Sequence, residues 1–182
     1  MSALPEPALP TPKLRLLYSP EQIAARVAAL GAHITRDFDG QPVVLLGVLK
    51  GASIFLADLA RAIKLDATFD FLAVASYGQG TYSSGEVRLT KDVDQSLHDR
   101  NVVLVEDILD TGLTLSYLRT VVQAHHPRAL RLAALLDKPD RRRVPIEADY
   151  AGFTIPDQFV VGYGMDCAER YRNLPGIYLL AE

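Results

Sequence analysis

Residues 102–114 read Val102-Val103-Leu104-Val105-Glu106-Asp107-Ile108-Leu109-Asp110-Thr111-Gly112-Leu113-Thr114, and this run decides the fold. Val102 to Val105 is a short buried strand, acids follow directly, and Leu115, Leu118, Val121 and Val122 then recur at helical spacing to about His125. The same order occurs upstream, where the apolar run Val43 to Leu49 is followed by Lys50-Gly51 and then by Ala52, Phe55, Leu56, Leu59 and Ile63 at helical spacing. Two strand-loop-helix units imply a parallel sheet. Thr68 to Ser76, Leu130 to Leu136 and Phe159 to Val161 are further strand candidates of the same buried type. Before the first unit, Ser19-Pro20-Glu21-Gln22 has the form of a capping box with proline at the first helical position, and Ile23, Val27, Leu30 and Ile34 continue it as a helix over about 20–36. The expectation is an open α/β sheet with helices on both faces.

In such sheets ligands bind beyond the carboxyl ends of the strands, where this chain sets Glu106, Asp107 and Asp110 just before Thr111-Gly112-Leu113-Thr114. A turn opening a helix offers free backbone N–H groups to a phosphate, Gly112 allows close approach, and the Thr111 and Thr114 hydroxyls add donors. Three carboxylates beside a phosphate need partners, and sugar hydroxyls or Mg²⁺ supply them. Acids also favour helix N-termini for reasons unrelated to catalysis, so these residues by themselves leave both readings open.

Composition narrows the classes. At 182 residues and 49% hydrophobic the chain can bury a substantial core without disulfides or structural metal, and no repeat or linker divides residues 13–182 into more than one domain. A net charge of −3 gives no footprint for nucleic acid or an anionic membrane, and the lone Cys167 excludes an internal disulfide and agrees with a cytoplasmic setting. Residues 1–12 carry Pro5, Pro7, Pro10 and Pro12 but neither a basic region nor an apolar run, and read as a loose tail rather than a secretory signal. No stretch approaches the roughly 18 apolar residues of a membrane span. Gly78 to Gly85, rich in Gly, Ser and Thr, reads as an exposed lid-like loop. Cys167 and the His125-His126 pair have no partners at metal-ligand or nucleophile spacing.

The segment 102–114 resembles the phosphoribosyl pyrophosphate motif of the phosphoribosyltransferases: apolar strand, two acids, two apolar residues, acid, then Thr-Gly-x-Thr. It is not a Walker A loop. Further motifs in the same order extend the likeness to the hypoxanthine-guanine phosphoribosyltransferase family from about Tyr18 to Leu180. Leu49-Lys50-Gly51-Ala52 is similar to the pyrophosphate loop, where the family often has a non-proline cis peptide. Ser76-Tyr77-Gly78 through Ser83-Ser84-Gly85-Glu86-Val87 is similar to the mobile catalytic loop. Leu136 to Pro139, Gly152 to Gly164 and Tyr171 to Pro175 are similar to the purine-binding and closing segments. Leu113 stands where some members carry Lys.

The resemblance implies an open, mostly parallel sheet flanked by helices, with a small hood lobe from the chain ends, and a Mg²⁺-dependent transfer of the 5-phosphoribosyl group to hypoxanthine or guanine. Asp110 would be the general base at the purine N7. Glu106 and Asp107 would hold the ribose hydroxyls or metal, Ile108 to Thr114 would wrap the 5′-phosphate, and Lys50, Gly51, Arg172, Ser76 and Tyr77 would meet the pyrophosphate. Lys138 would donate to O6, Phe159 would stack on the base, Val160 would read its edge, and Asp166 would hold a second metal ion and meet the exocyclic group. A homodimer or homotetramer is implied as well. Taken singly, Lys50, Lys138, Phe159 and Asp166 read more simply as a strand-end charge, a solvated turn, a core aromatic and a turn former; the motif order favours the functional roles. Two alternatives share the phosphate machinery: a xanthine-preferring enzyme, and an RNA-binding regulator that would use Arg141 to Arg143 as a basic face.

Overall fold

A computed structural model describes residues 13–76 and 87–181. The proline-rich tail, Tyr77 and the glycine loop read as a lid lie outside the described residues. The centre is a six-stranded sheet in the order β4-β3-β2-β5-β6-β7, built from β2 (Val43–Leu49), β3 (Ala67–Ser76), β4 (Val87–Lys91), β5 (Asn101–Leu109), β6 (Ala129–Asp137) and β7 (Tyr150–Thr154). All neighbours run parallel except β4, which pairs antiparallel with β3.

Alternation along the strands creates two cores. Val43, Leu45, Val103 and Val105 face one way and pack with Ile23, Val27, Leu30 and Ile34 of α1 (Pro20–Phe38) and with Phe55, Leu56 and Leu59 of α2 (Ser53–Ala62). Val44, Leu46, Val102 and Leu104 face the other way, onto Leu115, Leu118 and Val122 of α3 (Leu113–Gln123). Helices therefore cover both faces, as the buried strand pattern requires. The capping box at α1 is formed: the Ser19 hydroxyl accepts from the Gln22 N–H at 3.3 Å, and the Gln22 side chain accepts from the Ser19 N–H at 2.9 Å.

Chain ends form a second, three-stranded antiparallel sheet in the order β1-β9-β8, from β1 (Lys13–Tyr18), β8 (Val160–Val161) and β9 (Ile177–Ala181). This hood meets the main sheet where Tyr18 stacks on Phe153, ring centroids 3.9 Å apart.

Two sequence expectations are corrected, and two strands appear that the sequence reading did not include. Phe159 to Val161 is not a parallel core strand; only Val160 and Val161 are extended, paired antiparallel with Leu179 and Tyr178 in the hood. A short buried apolar run reports burial, and burial occurs equally between two lobes. The edge strands β4 and β7 have no long apolar run, and their pairing shows only in three dimensions. Finally, β5 does not stop at Val105. Its ladder with β2 ends at Gly47 and Val105, but its ladder with β6 continues to Leu109 opposite Asp137, because backbone groups pair irrespective of the side chains they carry.

Candidate active site

The site forms where the strand order reverses. From β2 the chain crosses to β3 on one side, and from β5 it crosses to β6 on the other, so a cleft opens between the ends of β2 and β5. A cavity of about 210 Å³ occupies it, lined by Glu106 to Gly112, Thr114 and Leu115, with Val48, Leu49 and Val74 opposite.

Glu106 and Asp107 are both buried, although carboxylates seldom are without partners. Loss of hydration, followed by the charge of the adjacent Asp107, pushes the Glu106 carboxyl well above its ordinary range. Burial raises Asp107 too, against the Ile108 N–H that donates to its Oδ1 at 2.8 Å and the more distant charge of Arg172. Neither acid forms an ion pair among the described residues. Gly51 is what lets Asp107 sit there: a Cβ at that position would collide with Asp107 Oδ2. The peptide before it, Leu49–Lys50, is cis, as the resemblance implies.

Gly112 opens α3 with φ 82°, a left-handed conformation that suits glycine, and a Cβ there would strike the Ile146 and Val144 side chains. No side chain caps α3 among the described residues, and the nearest donor-acceptor contact, Leu113 N–H to Thr111 Oγ1, is 3.5 Å long. The helix therefore presents free N–H groups to the cavity, as an anion site requires. Leu113, where some relatives carry Lys, is exposed at 36% and contributes no core.

Asp110, directly after β5, is half exposed, and the Arg141 Nε donates to its Oδ1 at 3.1 Å. The turn that carries Arg141 is bound closely to the segment Leu109 to Thr111. Lys138 N–H donates to Leu109 O at 2.9 Å and Arg143 N–H to Thr111 O at 2.9 Å, while the Arg142 guanidinium reaches Leu109 O, Asp110 O and Asp137. Lys138 is 7% exposed, so the solvated-turn reading of this residue fails. The same bonds weaken Arg141 to Arg143 as a basic RNA-binding face, because Arg141 and Arg142 are committed to acids and carbonyls.

Across the cleft, Lys50 pairs with Glu169 at 2.9 Å, and Arg172 bonds Asp166 at 2.8 Å and Glu169 at 3.5 Å. Asp166 also accepts from the Glu169 N–H at 2.8 Å, so it belongs to a group separate from Glu106 and Asp107. Phe159 is 54% exposed, as a stacking platform would be rather than a core aromatic, and Val160 is buried beside it in β8. Ser76 ends β3; Tyr77 lies outside the described residues. Three residues that sequence reasoning did not place in the site are in it: Arg141, Arg142 and Glu169. Their only signal was charge, which on a surface turn carries little information.

The phosphoribosyl transferase domain model matches residues 17–168. The chain is 46% identical to a hypoxanthine-guanine phosphoribosyltransferase from Streptococcus mutans over 168 residues, 92% of this chain and 93% of that one. It is likewise 46% identical to the bifunctional protein TilS/HprT of Listeria innocua, of whose length it spans 26%. A crystal structure of a hypoxanthine-guanine phosphoribosyltransferase from Bacillus anthracis superposes with a TM-score of 0.89 at 49% identity, covering 94% of this chain and 100% of that one. Agreement in sequence and backbone over nearly the whole length cannot come from one shared loop, and the chain belongs to the phosphoribosyltransferase family.

Proposed function

We infer that this protein is a purine salvage enzyme of the hypoxanthine-guanine type, which moves the 5-phosphoribosyl group of phosphoribosyl pyrophosphate to a 6-oxopurine and releases pyrophosphate. The observation that carries the reading is the cleft at the strand reversal, lined by a buried acid pair, an uncapped helix start and Asp110, with the buried Lys138 tied by its N–H to Leu109 O. In this reading Thr111 to Thr114 hold the 5′-phosphate through N–H groups and hydroxyls, with Ile108 and Leu109 forming the apolar wall behind the ribose. Glu106 and Asp107 accept from the ribose hydroxyls. Lys50, Gly51 and Arg172 receive the pyrophosphate, together with Ser76 and Tyr77.

Departure of pyrophosphate leaves positive charge on the ribose ring, as in glycoside hydrolysis, and the neighbouring carboxylates favour that charge. Asp110 takes the proton from the purine N7 as the new bond forms. Lys138 donates to O6, Phe159 stacks on the ring, and the Val160 and Asp166 backbone reads position 2.

The donor set fits Mg²⁺: buried carboxylate oxygens without an ion pair among the described residues suit a hard cation, which completes its shell with substrate oxygens and water. Glu106 and Asp107 would hold one ion, and Asp166 a second. The chemistry Mg²⁺ supplies when bound is neutralisation of the charge growing on the pyrophosphate. No helix among the described residues is long and apolar enough to cross a membrane. A cytoplasmic homodimer or homotetramer is the setting we propose.

A pyrophosphate-release assay with phosphoribosyl pyrophosphate, Mg²⁺ and each natural purine base tests the reading. An ammonium has three donors and no acceptor, so Lys138 pairs with a 6-oxo but not a 6-amino group. Hypoxanthine and guanine are expected to react, and adenine to be poorer by roughly 10⁴-fold in kcat/KM. Use of adenine at a comparable rate would refute the pocket assignment, and preference for xanthine would move the name within the family.

A further inference from the structure

We infer that Arg141 is a positioning residue for this reaction: it holds the Asp110 carboxylate by one oxygen and leaves the other to meet the purine. The inference rests on the functional reading above and adds a residue to it. Arg141 closes the short 3-10 turn Pro139–Arg141, and its N–H donates to Lys138 O at 3.1 Å. From that fixed base its Nε reaches Asp110 Oδ1 at 3.1 Å and its Nη1 reaches Asp157 Oδ2 at 3.4 Å. Among the described residues Asp110 Oδ2 has no hydrogen-bond partner. One guanidinium thus joins the acid at the end of β5 to the segment that leads into Phe159 and Val160, two sides of the proposed base pocket.

Exposure argues that this contact serves function rather than fold. The side chains are 40% and 38% exposed in the first pair and 40% and 55% in the second, and pairs so open to water add little stability. Orientation is another matter. A carboxylate free to rotate about its terminal torsion must be aligned again for each proton transfer, whereas one pinned through a planar, permanently charged fork begins aligned. A lysine has no such fork and could serve Asp110 or Asp157, but not both in this geometry.

The test compares wild type with R141Q, R141K, D157N and R143Q, measuring pyrophosphate release with hypoxanthine and phosphoribosyl pyrophosphate binding by calorimetry. R141Q is expected to lower kcat on the order of tenfold to hundredfold, the scale of a small misplacement of a reacting group, with phosphoribosyl pyrophosphate affinity within about twofold of wild type. R141K is expected to recover part of the loss, and D157N to lose less than R141Q. Arg143 lies on the same turn, but its exposed side chain makes no bond among the described residues, so R143Q should match wild type and exclude a general effect of charge. R141Q with wild-type turnover would overturn the inference, as would an equal fall in phosphoribosyl pyrophosphate affinity, which would mean that the loop had loosened. Wild type that releases no pyrophosphate with any purine base would overturn the functional reading itself, and this inference with it.

Discussion

Asp110 differs from the two acids before it in one respect that matters for chemistry: Glu106 and Asp107 are buried in the strand, whereas Asp110 stands half exposed at its end with one oxygen unbonded among the described residues. A base that acts mainly in the transition state should affect turnover more than binding. Asp110→Asn is therefore expected to lower kcat by ~10²–10⁴-fold while phosphoribosyl pyrophosphate affinity changes little. Steady-state kinetics with a parallel binding titration checks this; turnover within about threefold of wild type would remove Asp110 from the base role. On the opposite side of the cleft, Glu169 holds both cations proposed for pyrophosphate. An incoming polyanion must displace that carboxylate, so Glu169→Gln is expected to tighten pyrophosphate binding by about two- to fivefold, the scale of exposed ion pairs. Product inhibition by pyrophosphate measures it, and weaker inhibition in the variant would contradict the competition.

At the scale of elements, α1 and the β3–β4 edge expose two kinds of local control. The reciprocal capping box at Ser19 and Gln22 satisfies N–H groups that the first turn of α1 would otherwise leave free. Ser19→Ala should destabilise the protein by about 0.5–2 kcal/mol in chemical denaturation, with kcat unchanged because α1 lies away from the cleft. Asp70 in β3 acts differently. Burial alone would raise its carboxyl, but N–H groups of Asp94 and Phe71, each 2.7 Å away, and Lys91 at 3.3 Å together bring it below the ordinary value. A carboxyl lower in the folded than in the unfolded chain stabilises above the unfolded value, about 3.9, and that contribution is lost as pH falls through the folded value. Denaturation midpoints should drop as pH falls from about 5, and Asp70→Asn should flatten that acid slope. An unchanged slope in the variant would show that other carboxylates govern it.

Across the whole molecule, the hood has to stay in register with the main sheet, since β8 carries one wall of the proposed base pocket and β5 the other. Contacts away from the acidic cleft help to hold that register. Tyr18 stacks on Phe153, and the Tyr163 hydroxyl, just beyond β8, donates to Asp58 of α2. Burial and this bond to a carboxylate raise the Tyr163 phenol well above its ordinary value. Tyr163→Phe is expected to cost about 1 kcal/mol and to speed amide exchange in residues 160–165 more than in β2 or β5. Uniform acceleration across both sheets would mean that the bond serves global stability instead.

The amino-acid order alone determined the parallel centre of the fold, the first helix with its cap, and the acid-rich Thr-Gly-x-Thr turn that opens α3. Each is a local pattern: an apolar run, a 3.6-residue period, or acids and glycine at fixed spacing next to a helix start. It also marked Asp110, Lys138 and Arg172, whose motifs are contiguous in the chain. Tertiary structure alone decided which acids are buried, because β5 continues past Val105 only where β6 lies beside it. It decided that Val160 and Val161 belong to the hood, since an apolar run does not say which lobe covers it. The third decision was the partnership of Arg141 with Asp110 and Asp157, joined across 31 and 16 residues of chain. A surface charge has no periodicity to read, and its role depends on what the fold places within reach of it.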